Sequence, residues 1–355
     1  MDVKQDPAVQ QEQEQGKRIG KIVLEVKDLK TYVRTKRGVI PAVDGVSFYV
    51  KQGETFGIVG ESGGGKSMTA KSILRMEPKP AASIEGGEIL LDGVDLTKLS
   101  EKQMRKIRGR EISMIFQDPM TSLNPVFTVG NQIGEGLRIY EGKMDKKTLK
   151  AKIIELLKKV NVAAPEKRIS DYPHEMSGGM KQRAVGAIAI SSSPKIIIAD
   201  EPTTSLDLTI QAQYLRLLRE IQEKSGVSII FITHDFGIVA KMCDRVAVLY
   251  SGRIVEQGTV RALFKNPSHP YTHALINSVP KVEKRVDRLY SIPGQPTPAW
   301  ERKKGCYFAN RCEYAVDRCF EAYPPTFDGL SGTEGHLADC WRLEDKTWKP
   351  KPYLA

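Results

Sequence analysis

The run Gly60-Glu61-Ser62-Gly63-Gly64-Gly65-Lys66-Ser67 constrains this chain more than any other stretch. It fits the pattern G-x-x-x-x-G-K-[ST], which works only between a strand and a helix. The chemistry sets the spacing. Glycines let backbone N–H groups curl around phosphate oxygens at places a Cβ would block. Gly60, Ser62, Gly63 and Gly65, with Lys66 and Ser67, are the expected phosphate contacts. Lys66 reaches the β- and γ-phosphates, and the Ser67 hydroxyl ligates Mg²⁺. The flanks have the required order. Residues 54–59 read as a buried strand, and residues 67–75 as a helix whose positive N-terminus faces the phosphates.

Length and composition bound the rest. The 355 residues leave room for one large or two medium domains, and 40% hydrophobic residues suffice for a core. No apolar run approaches the ~18–20 residues of a membrane span. Met1-Asp2-Val3-Lys4-Gln5 lacks the basic-then-apolar layout of a secretion signal. An intracellular chain, or one attached to a membrane through a partner, is therefore expected. The net charge of +11 is spread along the chain rather than blocked. It fits a solvated surface or proximity to an anionic membrane, and no nucleic-acid partner is expected. Five cysteines are few for a disulfide scaffold of this length. Cys243 stands apart and reads as a small buried hydrophobe.

Residues 1–20 are rich in Gln, Glu and Lys and read as a disordered tail. Strand-like patterns follow from Ile22 and over residues 39–50, then at 88–91 and 112–116. Residues 129–161 turn helical and charged, within an insertion expected at about 119–190. Tyr214, Leu217, Leu218 and Ile221 follow Ile210 at helical spacing, and 227–232 reads as another buried strand. The Ser251-Gly252 turn points to a terminal hairpin. From residue 266 the composition shifts to Pro, Lys and Cys, which marks a separate extension over 266–345 and leaves 21–265 as the main domain.

Lys195-Ile196-Ile197-Ile198-Ala199 is a continuous apolar run, as in a parallel strand buried on both faces, and it ends in Asp200-Glu201. Alternating strands and helices imply an α/β core, in which carboxylates at the C-terminal end of a central strand sit beside the phosphate loop. Asp200 is expected to hold Mg²⁺ through water, and Glu201 to polarise the attacking water as general base. Met176-Ser177-Gly178-Gly179-Met180-Lys181-Gln182-Arg183 opens a helix with Ser177 as N-cap and N–H groups left for an anion.

In these segments the chain resembles the ATP-binding subunits of ABC transporters, over about residues 21–340. Their signature reads LSGGQ; here Met176 and Met180 replace the Leu and Gln, while Ser177, Gly178 and Gly179 are kept. The resemblance implies that those three touch the phosphates of a nucleotide held by a partner subunit. It implies that Tyr32, placed before the first antiparallel strands, stacks on adenine. Gln117 falls in the loop that senses Mg²⁺, Ser205-Leu206-Asp207 in the loop that crosses to the partner, and His234 on the γ-phosphate. The implied fold is α/β: a P-loop NTPase core with an antiparallel β subdomain, an inserted α-helical subdomain and a small C-terminal extension. The stretch Gln117-Asp118-Pro119-Met120-Thr121-Ser122-Leu123-Asn124-Pro125 is similar to that of peptide and nickel importers. So is His269-Pro270-Tyr271-Thr272, with Ala274-Leu275 and Ser278-Val279-Pro280.

The implied activity is ATP hydrolysis that energises import of peptides or related solutes from the cytoplasmic face of the membrane. The implied partners are a second, homologous ATP-binding subunit, two membrane-spanning permease subunits and, indirectly, an extracytoplasmic solute-binding protein. Close relatives of peptide importers carry oligosaccharides or metal chelates, so the solute stays open. The rival reading is a soluble ABC-type ATPase of nucleic-acid metabolism or translation. It calls for a coiled-coil insertion, paired cassettes or internal zinc modules, none of which the sequence shows. A non-enzymatic regulator would have lost Glu201 or His234, and both are present.

Cys306, Cys312, Cys319 and Cys340 follow C-x5-C-x6-C-x20-C. Four thiols in a Lys- and Pro-rich segment suggest a shared ligand in place of a missing core. The spacing is looser than the pairs usual for structural zinc. Resemblance to a subset of dipeptide-importer ATPases implies a 4Fe–4S cluster, which four thiolates suit. Zinc, and thiols that hold no metal, remain alternatives.

Overall fold

The computed structural model describes residues 20–117, 122–204, 206–279, 290–302, 304–345 and 349–350. Residues 1–19 of the expected tail, Asp118-Pro119-Met120-Thr121, Ser205 and Pro280 lie outside the described residues. The strands are β1 (Ile22–Thr35), β2 (Gly38–Lys51), β3 (Thr55–Val59), β4 (Ala82–Leu91), β5 (Val94–Asp95), β6 (Ile112–Ile115), β7 (Ile196–Asp200), β8 (Ser228–Thr233), β9 (Arg245–Tyr250), β10 (Arg253–Thr259), β11 (Phe327–Asp328) and β12 (Leu337–Ala338). The helices used below are α1 (Lys66–Ile73), α2 (Glu101–Ile107), α3 (Val129–Glu141), α4 (Lys146–Lys159), α5 (Pro165–Arg168), α6 (Gly178–Ile190), α7 (Leu208–Ser225), α8 (Phe236–Met242), α9 (Val260–Lys265) and α10 (Pro270–Ser278). The chain divides into two units.

The first unit gathers residues 20–24, Tyr49–Thr55 and the described part of Lys98–Phe231. Its strands run in the order β8, β7, β6. β6 and β7 are parallel, from Ile112 opposite Ile196 to Ile115 opposite Ala199. Every residue of β7 is buried, as expected of an Ile-rich strand covered on both faces. The charged stretch near residue 150 becomes α4 because its apolar residues share a face. Leu149, Ile153, Leu156 and Leu157 are buried, and the lysines point outward. Burying each such side chain contributes about 1.5–3 kcal/mol. Asp145 caps this helix by accepting from the Lys147 and Thr148 N–H groups. α4 packs on α3 and α6, and α6 also packs on α7 and β6.

The second unit gathers Glu25–Phe48, Phe56–Thr97 and Ile232–Ala355. The expected antiparallel β subdomain is a four-stranded sheet in the order β2, β1, β4, β5. The remaining strands run β11, β12, β10, β9, β3. β3 lies parallel to β9, with Phe56 opposite Arg245 and Val59 opposite Val248. Cys243 is buried, and its Sγ lies 3.0 Å from where a Cβ on Gly57 would stand. β9 and β10 form a hairpin turned at Ser251 and Gly252, both at positive φ.

Two expectations about the C-terminal segment are corrected. The hairpin is not the end of the sheet, because β12 pairs with β10 through Glu256 opposite Ala338 and Gln257 opposite Leu337. Nor does the segment lack a core: Ala338, Cys340 and Leu343 are buried together with Phe327 and Leu330 against them. A buried polar knot ties it down as well. The Glu256 carboxylate, 0% exposed, accepts from the Ser268 and His269 N–H groups at 2.8 and 2.9 Å. Its Oε1 lies 2.8 Å from His336 Nε2.

Candidate active site

The second unit contains the phosphate loop. β3 ends at Val59, and Gly60 follows with no room for a side chain: a Cβ there would stand 2.1 Å from the Leu249 carbonyl. Gly65, at φ +101, is equally confined, with a Cβ falling 2.4 Å from the Ala42 carbonyl. Gly65 opens α1 in the left-handed region and, as a glycine, brings no capping side chain of its own. The positive end of the helix dipole lies at this loop. Lys66, buried at 4% exposure, donates from Nζ to the Gly60 and Glu61 carbonyls at 2.8 and 3.0 Å. Ser62 and Gly63 are exposed and Ser67 is half-buried. His234 is exposed directly after β8, beside Asp235, which caps α8 by accepting from Gly237 N–H at 2.7 Å.

Tyr32 lies inside β1 rather than ahead of the antiparallel strands. Its hydroxyl donates to Asp44 Oδ1 at 3.3 Å, and burial, with Asp44 beside it, pushes its pKa up. Asp44 is a junction. Its Oδ2 also receives Arg253 Nε and Nη2 at 2.9 and 2.7 Å and Tyr307 Oη at 3.3 Å.

The first unit holds the carboxylates. Asp200 is the buried last residue of β7, and Glu201 turns away from it at φ +46. That backbone region costs a residue with a Cβ roughly 1–3 kcal/mol and recurs at functional sites. Gln117 Nε2 donates to Glu201 Oε2 at 3.2 Å, and Thr204 Oγ1 donates to the same oxygen at 3.1 Å. Two expected site residues, Gln117 and Glu201, thus meet across 84 positions of sequence. Ser177 is the N-cap of α6, accepting from Met180 N–H at 3.4 Å, and Gly178 and Gly179 form its first turn. Asp207 caps α7, where its Oδ1 accepts from the Thr209 and Ile210 N–H groups at 3.0 and 2.9 Å.

The four late cysteines line one pocket, together with His269 and Trp341. Cys306 N–H donates to the Cys319 carbonyl at 2.7 Å, which joins two of the segments. Burial pushes Cys306 up to about 11 and Cys312 to about 12, and it raises Cys340 as well. Such thiols stay protonated unless a cation offsets the burial. Among the described residues, no group of three or more His, Cys, Asp or Glu side chains is arranged to hold a metal ion. The expected iron–sulfur or zinc site is therefore not shown as a formed ligand set. The donor chemistry and the common pocket fit such a group.

Comparison with known proteins decides the family. Residues 43–204 match the family model described as ABC transporter, and residues 255–319 match the C-terminal region of oligopeptide/dipeptide transporters. A probable peptide ABC transporter ATP-binding protein of Sinorhizobium fredii is 52% identical over 91% of this chain and 96% of its own length. The oligopeptide transport ATP-binding protein OppD of Bacillus subtilis is 50% identical over 93% of this chain and 91% of its own. The chain belongs to the ABC transporter ATP-binding proteins. Its fold agrees: the dimeric ATP-binding cassette MJ0796, solved after hydrolysis with ADP and Pi, superposes with a TM-score of 0.59. That cassette is 27% identical, and the match covers 67% of this chain and 99% of the cassette. As in its family, this ABC protein hydrolyses ATP with Mg²⁺, coupled to transport and in company with membrane permease subunits.

Two side chains and one backbone conformation leave no motif in the sequence. Asp44 gave no signal, since a lone Asp in a strand matches no motif. The positive φ of Glu201 is a backbone property that the glutamate side chain does not announce. Arg311, which bonds to the phosphate loop from 250 positions away, was hidden between two cysteines that drew attention to themselves.

Proposed function

We propose that this chain energises import of peptides or closely related solutes, bound at the cytoplasmic face to two permease subunits. Its ATP site is shared head to tail with a second, distinct ATP-binding subunit, and an extracytoplasmic solute-binding protein delivers the cargo. The observation that carries the ATPase reading is Lys66, its ammonium held by loop carbonyls at the start of α1. The relatives named for peptides and oligopeptides support the choice of solute. Among the described residues no helix is long and apolar enough to cross a membrane. Residues 21–265 form the ATP-binding part, with the helical insertion at about 119–190, and 266–345 the extension.

Each residue has a task. Gly60, Ser62, Gly63, Gly65 and Ser67 of the loop, with Lys66, bind the phosphates, and Tyr32 stacks on adenine. Ser67, Gln117 and Asp200 would hold Mg²⁺, which supplies charge neutralisation at the phosphates. Glu201 takes a proton from the attacking water, with Gln117 and Thr204 orienting its Oε2. His234 contacts the γ-phosphate. Ser177, Gly178, Gly179 and Asp207 act on the nucleotide of the partner subunit. In the assembled transporter, Glu201→Gln should keep ATP binding and cut hydrolysis about 10²–10⁴-fold, whereas Lys66→Ala should lose binding. Near-normal turnover by Glu201→Gln removes the assignment. An isolated chain that hydrolyses ATP as fast as the full complex favours the soluble-ATPase alternative.

The shared pocket of Cys306, Cys312, Cys319 and Cys340 supports a structural 4Fe–4S cluster, with zinc as the alternative. When bound, it would cross-link the extension. Protein purified without oxygen should carry about four irons per chain and absorb near ~400 nm; colourless protein with stoichiometric zinc decides for zinc.

A further inference from the structure

Glu61 stands second in the phosphate loop, at a position where the motif accepts any residue. Here its polar groups are all engaged. Its N–H donates to Tyr271 Oη at 2.9 Å. Its carboxylate receives Arg311 Nη1 and Nη2 at 2.7 and 3.0 Å. Its carbonyl accepts from Lys66 Nζ at 3.0 Å and from Gly64 N–H at 3.1 Å. The holding groups are themselves fixed. Arg311 is 8% exposed, and its Nε donates to the Pro293 carbonyl at 3.0 Å. Nη1 also reaches Tyr250 Oη at 3.3 Å. Tyr271 is fully buried, with its ring against Tyr250 and Phe308. Arg311 closes the short turn Ala309–Arg311, one residue before Cys312.

The geometry matters because Glu61 connects two jobs. Its carbonyl is an oxygen to which Lys66 Nζ is bonded, at 3.0 Å. Its side chain is clamped by a two-pronged guanidinium, a pairing that fixes direction as well as distance. The residues after it, Ser62 and Gly63, are exposed. An unclamped loop would have to be ordered at the moment of binding, at a cost to affinity.

We propose that Arg311 and Tyr271, contributed by the C-terminal segment, are positioning residues for nucleotide binding: they hold Glu61 so that the loop and Lys66 are preset for phosphate. The extension is thereby part of the nucleotide machinery, and the turn next to Cys312 sets ATP affinity through one ion pair. This rests on residues 60–67 holding the nucleotide.

The test is binding of ADP with Mg²⁺ to the full chain by calorimetry, with thermal unfolding recorded on each variant. Glu61→Gln and Arg311→Gln should each weaken ADP binding about 3–10-fold, and the double variant should be no weaker than the single ones, because one interaction is lost in all three. Tyr271→Phe should weaken it in the same direction. Arg311→Lys should recover less than half of the loss, since an ammonium cannot supply the fork. In the assembled transporter the same variants should raise KM for ATP and leave kcat within about twofold, the pattern of lost uniform binding. The proposal is overturned if Glu61→Gln leaves ADP affinity within twofold of the parent, if the two Gln substitutions add in full, or if Arg311→Lys restores affinity completely. Should Arg311→Gln not fold, Glu61→Gln and Tyr271→Phe decide alone. Lys66→Ala separates the two levels: if it too leaves binding unchanged, the loop assignment fails, and if it abolishes binding while Glu61→Gln does not, only this inference fails.

Discussion

Two helices of this protein begin at anion-binding sequences, and they are built differently. α1 opens at Gly65, in the left-handed region, a residue with no side chain to cap the turn. The Leu249 and Ala42 carbonyls would stand 2.1 and 2.4 Å from a Cβ on Gly60 and on Gly65. α6 opens at Ser177, an ordinary extended N-cap whose hydroxyl already accepts from Met180 N–H. Its glycines carry helical dihedrals, and a Cβ on Gly179 would meet only Ile210 Cδ1 at 3.6 Å. One start is confined by the backbone around it; the other is a stable cap, which on the proposed function meets a ligand held by the partner subunit.

The largest effect expected from that contrast is at Gly65. Gly65→Ala must place a Cβ at φ +101 and 2.4 Å from a carbonyl oxygen. Nucleotide affinity should fall at least about 100-fold, and unfolding should show a loss of roughly 1–3 kcal/mol. Retained binding, measured by calorimetry, would break the contrast. Gly179→Ala comes next. Stability should hold or rise by up to about 1 kcal/mol, since alanine favours helix, and the isolated chain should bind nucleotide normally. Turnover of the assembled transporter should nevertheless fall about tenfold or more if this N–H serves a transition state from the partner's side. Weakened binding in the isolated chain would place α6 with α1.

Acid should weaken the segment that carries Tyr271. Burial lowers His269 from 6.5 to about 3, and its Nδ1 accepts from Tyr271 N–H at 3.0 Å. The folded chain thus keeps this ring neutral while the unfolded chain protonates it below about 6.5. Its contribution is complete above pH 6.5 and is lost as the pH falls toward 3. Denaturant unfolding followed against pH should show this acid limb, and His269→Asn, whose amide oxygen can accept the same N–H, should flatten it. The smallest effect is at Ser177. With a cap bond of 3.4 Å, Ser177→Ala should cost about 0.5 kcal/mol, the low end for an N-cap. A cost near 2 kcal/mol would show that α6 depends on its cap more than the geometry indicates.

Much of this was legible in the sequence, for physical reasons. The apolar runs at β7 and β8 could only be strands covered on both faces, and the glycine spacing of the phosphate loop has one geometric use. Local features of this kind leave a periodic or positional trace. Contacts between distant segments do not. The Arg311–Glu61 pair spans 250 positions, and β11 and β12 are two residues each, too short to alternate. For that reason the extension read as separate and coreless, although its strand joins β10. Tyr32 was expected ahead of the sheet because an aromatic beside a turn and one inside a long strand look alike without the register.

Glu201 has a consequence for how this protein can change. At φ +46 it sits where glycine would be at ease and glutamate is not. The most direct way to relax that backbone is also the one that deletes the carboxylate. On the proposed role of Glu201 as general base, selection for a sturdier protein and selection for a working pump therefore pull against each other at this residue, and a screen for thermal tolerance alone would drift toward chains that bind ATP and never spend it.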